Sequence, residues 1–250
     1  MKKSNENGIY YDPEIAQFYD GSNRARPDFD FCRVLAKDVD SILDLGCGTG
    51  DLAISLAAES SVVAVDPAAP MLEIANGKPG ADRVTWYQSD AKTLRLNQKF
   101  DLIVLTGHTF QVFLNTADQR SVLTTISSHL KKNGRFIFDT RNPSFAGSKE
   151  RIRGQVKRSF EHIQLGLIKA WNSSTYDQDS QVLSYENGFE VTASGKVHSA
   201  KAQIKYTSQN DVAQIVEGAG LEVNSWFGDW SGGAFHTGAP EIIPLGGLSE

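Results

Sequence analysis

A chain of 250 residues and 27.4 kDa can bury about 70–75 % of its unfolded surface in one α/β core without help from disulfides. Charged residues at 22 %, hydrophobic residues at 40 % and a mean hydropathy of -0.32 exclude the disordered, collagen-like and membrane classes. With 25 basic against 30 acidic residues the net charge is -5, so no general field draws the chain to nucleic acid or to anionic membranes. Two cysteines, Cys32 and Cys47, cannot build a disulfide framework, and no apolar leader follows Lys2 and Lys3, so a reducing cytoplasm is the expected location.

The first forty residues hold two short helical patterns, Pro13 to Asp20 and Pro27 to Lys37, each opened by a proline, and predict a helical cap. From Ser41 the rhythm changes. The runs Ile42 to Leu45, Val62 to Val65, Val84 to Tyr87, Leu102 to Leu105 and Phe136 to Phe138 read as buried strands separated by helical segments. The clearest helix is Ala117 to Lys132, with Val122, Ile126 and Leu130 on one face and Asn133-Gly134 as its stop. Residues 151–207 show alternation and turn signals, Asn187-Gly188 and Ser194-Gly195 among them, and predict an antiparallel meander over one edge of the sheet. A helix from Ser208, as N-cap, to Gly218 and strands at Leu221 to Phe227 and Glu241 to Leu245 close the chain. The expected division is a cap over 1–40, a sheet core over 41–150 and 208–250, and an inserted lid over 151–207.

The most informative segment is Ser41-Ile42-Leu43-Asp44-Leu45-Gly46-Cys47-Gly48-Thr49-Gly50, an apolar strand that runs into three glycines spaced by two and then into a helix. Glycines there let the backbone turn sharply and approach a ligand closely. A dinucleotide fingerprint would need a glycine at position 51, which is an aspartate that repels phosphate, and no Gly-Lys-Ser/Thr follows for a P-loop.

DLGCGTG at the end of a first strand resembles motif I of the class I S-adenosylmethionine-dependent methyltransferases, and the resemblance extends over residues 41–140. It implies a doubly wound, mostly parallel seven-stranded Rossmann-like sheet with an antiparallel last strand, and S-adenosyl-L-methionine as cofactor. It also implies Asp66, beside Pro67, as acceptor for the ribose hydroxyls, and Asp90 with Ala91 as partners of the adenine. Gly46, Cys47, Gly48 and Gly50 of the loop, Asp44 before it, Met71 after the second strand and Thr106-Gly107 after the fourth join the implied cofactor set. The ligand's chemistry agrees. A sulfonium, an ammonium and a diol want carboxylates and aromatic faces, and Asp44, Asp66 and Asp90 belong to three successive strands whose carboxyl ends share one edge.

Further residues bear on the acceptor. His108 follows the fourth strand where the family lines its methyl-transfer site, so it is the candidate base or orienting group, and Phe110 the candidate pocket wall. Tyr10, Tyr11, Phe18, Tyr19, Arg24 and Arg26 are candidates for closing the N-terminal cap over the cofactor, Tyr11 and Tyr19 foremost. Asp229-Trp230 is a candidate pocket edge, while Trp171 and Trp226 read equally as core. Asn142-Pro143 lacks the context of an amino-methylating nucleic-acid motif. The expected function is methyl transfer to N or O of a small-molecule acceptor by a monomer or homodimer, with no metal. The alternatives are a nicotinamide-dependent oxidoreductase, a nucleic-acid methyltransferase and a catalytically silent binding module.

Overall fold

The computed structural model describes residues 8–21, 25–145 and 157–249. Five runs form parallel strands, β1 (Ser41–Leu45), β2 (Ser61–Asp66), β3 (Val84–Gln88), β4 (Phe100–Leu105) and β5 (Leu130–Phe138), and β3 is corrected from buried to largely exposed beyond Val84 because it forms the edge of the sheet. Alternate side chains feed opposite faces. Leu43, Ile103, Leu105 and Phe138 join one buried cluster, whereas Ile42, Leu102, Val104 and Ile137 join another. That two-sided burial is what a parallel sheet beneath crossover helices requires. Strands β11 (Leu221–Phe227) and β12 (Glu241–Leu248) complete the order β11-β12-β5-β4-β1-β2-β3, with β12 antiparallel to both neighbours, as expected. A two-residue strand, β6 (Thr140–Arg141), pairs with the start of β12.

The N-terminal cap consists of α1 (Gly8–Tyr11), α2 (Pro13–Ala16) and α3 (Pro27–Leu35), with Pro13 and Pro27 in the first turn of their helices. Helix α2 is shorter than its pattern and gives way to a 3-10 turn at Tyr19–Gly21. Three crossover helices follow, α4 (Asp51–Leu56), α5 (Ala69–Asn76) and α6 (Thr116–His129). The Asn115 side chain caps α6 by accepting the Asp118 N–H at 2.8 Å. Helix α6 ends before the predicted Asn133-Gly134 stop, because fully buried Leu130 turns extended and already pairs with Phe100 in the sheet. Asn133-Gly134 instead lies in an irregular stretch of β5, where a Cβ on Gly134 would stand 2.7 Å from the Phe100 carbonyl oxygen. The last helix, α7 (Gln209–Glu217), has Ser208 as its N-cap and buries Val212, Ile215 and Val216, as predicted.

Between β6 and α7 the chain forms β7 (Lys157–His162), β8 (Gly166–Asp177), β9 (Val182–Val191) and β10 (Lys196–Lys205). These make a second, antiparallel sheet of order β10-β9-β8-β7, the inserted antiparallel meander that the sequence predicts. Its inner face meets the cap, where Ile9, Ile15 and Phe18 pack against Ile168, Ala170, Phe189 and Val191. Ser194-Gly195 turns between β9 and β10 as predicted, with the Gly195 N–H donating to the Val191 carbonyl at 2.8 Å. Asn187-Gly188 is not a hairpin tip. Both residues lie inside β9, opposite Asn172 and Trp171, and the Trp171 indole occupies the space of a Gly188 Cβ. Arg24 and residues 151–156 of the expected lid lie outside the described residues.

Gly188 therefore serves aromatic cover. Gly188→Val is expected to destabilise the protein by about 1–3 kcal/mol in urea unfolding, the range of overpacking. Asn187→Thr is expected to stay within about 0.5 kcal/mol of wild type, whereas a turn would be damaged by both.

Candidate functional site

The glycine loop folds over the end of β2, with the Gly46 and Cys47 N–H groups donating to the Val65 carbonyl at 2.7 and 3.1 Å. Gly46, Gly48 and Gly50 all have left-handed φ, +71°, +55° and +80°. They serve different ends. A Cβ on Gly46 would overlap the Thr109 methyl and one on Gly50 would lie 2.5 Å from the Trp86 ring, but one on Gly48 meets nothing closer than Tyr19 at 3.9 Å. Gly48 thus presents open backbone to the crevice.

Two buried carboxylates stand under this loop. Asp66 accepts the Gly48 N–H at 2.9 Å and the Ala68 N–H at 2.8 Å, and burial raises its pKa while those N–H groups oppose the rise. Asp44 is 2 % exposed and its Oδ2 has no hydrogen-bond partner. Burial, then the nearby Asp66 charge, pushes the Asp44 carboxyl up to about 7. Asp90 is more exposed, accepts the Lys92 N–H at 2.9 Å and precedes buried Ala91. Pro67 is exposed, whereas Met71 is 1 % exposed and packs with Ala16 and Ala68 between α5 and the cap. Burial keeps the half-exposed Cys47 a thiol by raising its pKa well above the usual range.

The cap overhangs the loop. Tyr19 lies above Gly48 and meets Tyr10 edge to face at 6.3 Å, and both Tyr19 and Tyr11 are partly exposed. Asp20 accepts the Thr49 hydroxyl at 2.7 Å and pairs with Lys78 at 2.7 Å, fastening cap to loop. Arg26 forks onto Asp28 through Nε and Nη2 at 3.0 and 2.7 Å and stacks 3.8 Å from the Phe29 ring centroid.

After β4, Thr106 is buried and Gly107 and His108 turn left-handed, with His108 at φ +64°. A non-glycine residue there carries about 1–3 kcal/mol of strain. Two carboxylates hold it in place. The His108 N–H donates to Asp139 Oδ1 at 2.8 Å, and Nε2 lies 3.0 Å from Glu241 and 3.5 Å from Asp139 Oδ2. Burial raises the pKa of Asp139 against the pull of His108. One donor atom from each of the three residues lies within 4.8 Å of the others, the one group among the described residues spaced to hold a metal ion. A proton on Nε2 joins the same atoms without one.

Asp139 and Glu241 escaped the sequence reading. Asp139 directly follows β5 and obeys the rule that singled out Asp44, Asp66 and Asp90; Glu241 opens β12, whose reversed direction brings its first residue to that same edge.

Of the acceptor-side candidates, Phe110 is corrected to a core residue, while Asp229 and Trp230 keep partly exposed places. Phe110 is fully buried and stacks on Phe138 at 4.6 Å, because the 3-10 turn Thr109–Val112 aims it into the sheet core. Asp229 closes its own loop by accepting the Ser231 and Gly233 N–H groups at 2.7 and 3.2 Å. Trp230 packs edge-on against Phe31 of α3 at 5.7 Å. Trp171 lies over Gly188, Trp226 lies against the core, and Asn142 ties the loop before β12 through the Thr237 and Ala239 carbonyls at 2.9 and 2.8 Å.

A glycine-lined crevice edged by carboxylates on a doubly wound sheet defines an enzyme site for a cationic nucleoside-type ligand. Residues 42–134 match the methyltransferase-domain family. The cypemycin N-terminal methyltransferase of a Streptomyces species is 25 % identical over 204 residues, 81 % of each chain. A malonyl-[acyl-carrier protein] O-methyltransferase of Bacillus cereus is 37 % identical over 102 residues, 40 % of this chain and 36 % of that protein. Among solved structures, the CcbJ methyltransferase of Streptomyces caelestis has a TM-score of 0.79 at 20 % identity, covering 94 % of this chain and 96 % of that one. The sugar N-methyltransferase KedS8 from Streptoalloteichus has a TM-score of 0.75 at 18 % identity, covering 93 % and 92 %. These two likenesses speak to the fold. Together these matches support the class I S-adenosylmethionine-dependent methyltransferase family, with S-adenosyl-L-methionine as cofactor. The residues present fit that cofactor: the unpartnered Asp44 Oδ2 suits a cation and the open face of Gly48 suits close approach. No helix is long and apolar enough to cross a membrane among the described residues.

Asp44 has a pH signature. With its pKa at about 7 against the ordinary 3.8, the native state keeps a proton that the unfolded chain releases, so stability falls as pH rises between those values. Asp44→Asn is expected to remove a fall on the order of 2–4 kcal/mol in urea unfolding of the cofactor-free protein. An unchanged slope would contradict the assignment.

Proposed function

We propose that the enzyme methylates a nitrogen of a small-molecule acceptor, with His108 as base or orienting partner and with the cap and second sheet closing over the crevice. The observation that carries this reading is the His108 ring held against Glu241 and Asp139 at the edge where the glycine loop opens. Asp66 would hold the ribose hydroxyls, Asp90 and the Ala91 N–H the adenine, and Asp44 the ammonium side. Gly46, Cys47, Gly48 and Gly50 would give the backbone approach, and Thr106 and Gly107 would line the sulfonium. Tyr11, Tyr19 and Arg26 would close over the methionine end. S-adenosylmethionine, when bound, supplies an electrophilic methyl group on a sulfonium.

The chain's own contribution is alignment, which is worth effective molarities up to about 10⁵–10⁸ M. The Nε2 of His108 is engaged by carboxylates, so Nδ1, which has no partner among the described residues, is the atom placed to take the acceptor's proton. Nitrogen is favoured over oxygen because Asp139 and Glu241 put negative charge beside the His108 ring, which attracts a protonated amine before it is deprotonated. The relative named for N-terminal methylation supports the same choice. The acidic net charge supports a small molecule over nucleic acid as acceptor.

Calorimetric titration is expected to show Asp66→Ala weakening S-adenosylmethionine binding by about 1.5–3 kcal/mol, the range for hydrogen bonds to a charged group. Unchanged affinity would count against the ribose role. If His108 is the base, His108→Asn should lower kcat about 10²–10⁴-fold, keep cofactor affinity and remove the acidic limb of the pH profile, with wild-type turnover surviving exhaustive chelation. Wild-type turnover in the mutant would return His108 to a purely structural place.

A further inference from the structure

Among the described residues the crevice holds two arginines, and only one of them has an acid to pair with. Arg26 is forked onto Asp28. Arg141 lies in β6, opposite Glu241 in antiparallel register, so the two side chains leave the same face of the sheet. Glu241 goes to His108; Arg141 goes elsewhere. Its Nη1 donates to Gln111 Oε1 at 2.8 Å, and among the described residues it forms no ion pair.

The surroundings fix the guanidinium where it stands. Gln111 is fully buried and donates from Nε2 to the Lys205 carbonyl of β10 at 3.1 Å, so its oxygen has one orientation left. Tyr10 of α1 and Tyr185 of β9 bring their hydroxyls to 3.3 Å from each other, and the charge of Arg141 acts on both. The Asp66 charge under the glycine loop also acts on Tyr10. Cap, second sheet and β6 meet at this point. A half-buried guanidinium has five N–H donors, and satisfying one with a neutral amide leaves a desolvated charge uncompensated. Its planar fork matches the two oxygens of a carboxylate or a phosphate.

We propose that Arg141, held by Gln111 on the face of the sheet that carries Glu241, is an oxyanion subsite for the acceptor, so that the acceptor is an amine that also carries a carboxylate or phosphate group. Calling the anion part of an acceptor rests on the methyl-transfer reading above; anion binding itself does not. Gln111 is the positioning residue that orients the fork.

The test uses the full-length protein saturated with S-adenosylhomocysteine. The side-chain Nε–H resonance of Arg141, assigned by its loss in Arg141→Met, is followed while acetate or inorganic phosphate is added at constant ionic strength. A saturable shift in the millimolar range is expected with at least one anion. A response to acetate alone assigns a carboxylate, and a response to phosphate alone a phosphate. Arg141→Lys keeps the charge and a donor for Gln111 but loses the fork, and is expected to bind the same anion about tenfold more weakly by calorimetry, whether or not Arg141→Met folds. S-adenosylhomocysteine affinity should be unchanged in Arg141→Lys. No saturable response to either anion, or a loss of cofactor affinity that assigns Arg141 to the methionine carboxylate, would overturn the proposal. Failure of His108→Asn to slow turnover would instead strike the base assignment and leave this result standing.

Discussion

One carboxylate joins the end of β2 to the loop after β1, and the crevice takes its shape from that bond. Asp66 accepts the Gly48 N–H at 2.9 Å and the Ala68 N–H at 2.8 Å, and each bond to a charged acceptor is worth about 1.5–3 kcal/mol. Without the first of them, the loop that carries three left-handed glycines, Gly46, Gly48 and Gly50, would lose the bond that holds its middle glycine. With them, α4 starts in a fixed direction, Gly48 faces outward, and Asp44 is sealed beneath with one oxygen unanswered.

The roof is tied to the same loop. Asp20 of the cap takes the Thr49 hydroxyl, Phe18 stacks on Phe189 of β9 at 4.6 Å, and Glu14 pairs with Lys196 of β10 at 2.9 Å. Cap and second sheet share one apolar cluster, so they form a common wall above the carboxylate floor. The crevice is therefore polar below, with Asp44, Asp66, Asp139 and Glu241, and aromatic above, with Tyr10, Tyr11 and Tyr19. That polarity suits a ligand with a cationic centre on an otherwise neutral body.

The sheet was legible because buried parallel strands leave continuous apolar runs, and the glycine loop because few sequences put three glycines at that spacing between strand and helix. Asp66 and Asp44 were legible by the same rule of strand ends. Asp139 and Glu241 obey that rule as well, the first without a family motif to mark it, the second only through the reversed direction of β12. What could not be read was orientation within a loop: nothing in Thr106 to Gln111 says that Phe110 turns to the core while Gln111 turns to Arg141. The turn signal at Asn187-Gly188 failed for a different reason. Glycine there answers a distant tryptophan, a tertiary demand invisible in local sequence.

The central claim is that this crevice aligns the sulfonium with His108. A crystal structure of the S-adenosylhomocysteine complex tests it most directly. The account predicts the ribose at Asp66, the adenine beside Asp90 and Ala91, and the sulfur turned toward His108 Nδ1 beneath Tyr19. A ligand seated elsewhere, or one whose sulfur faces away from His108, would contradict it.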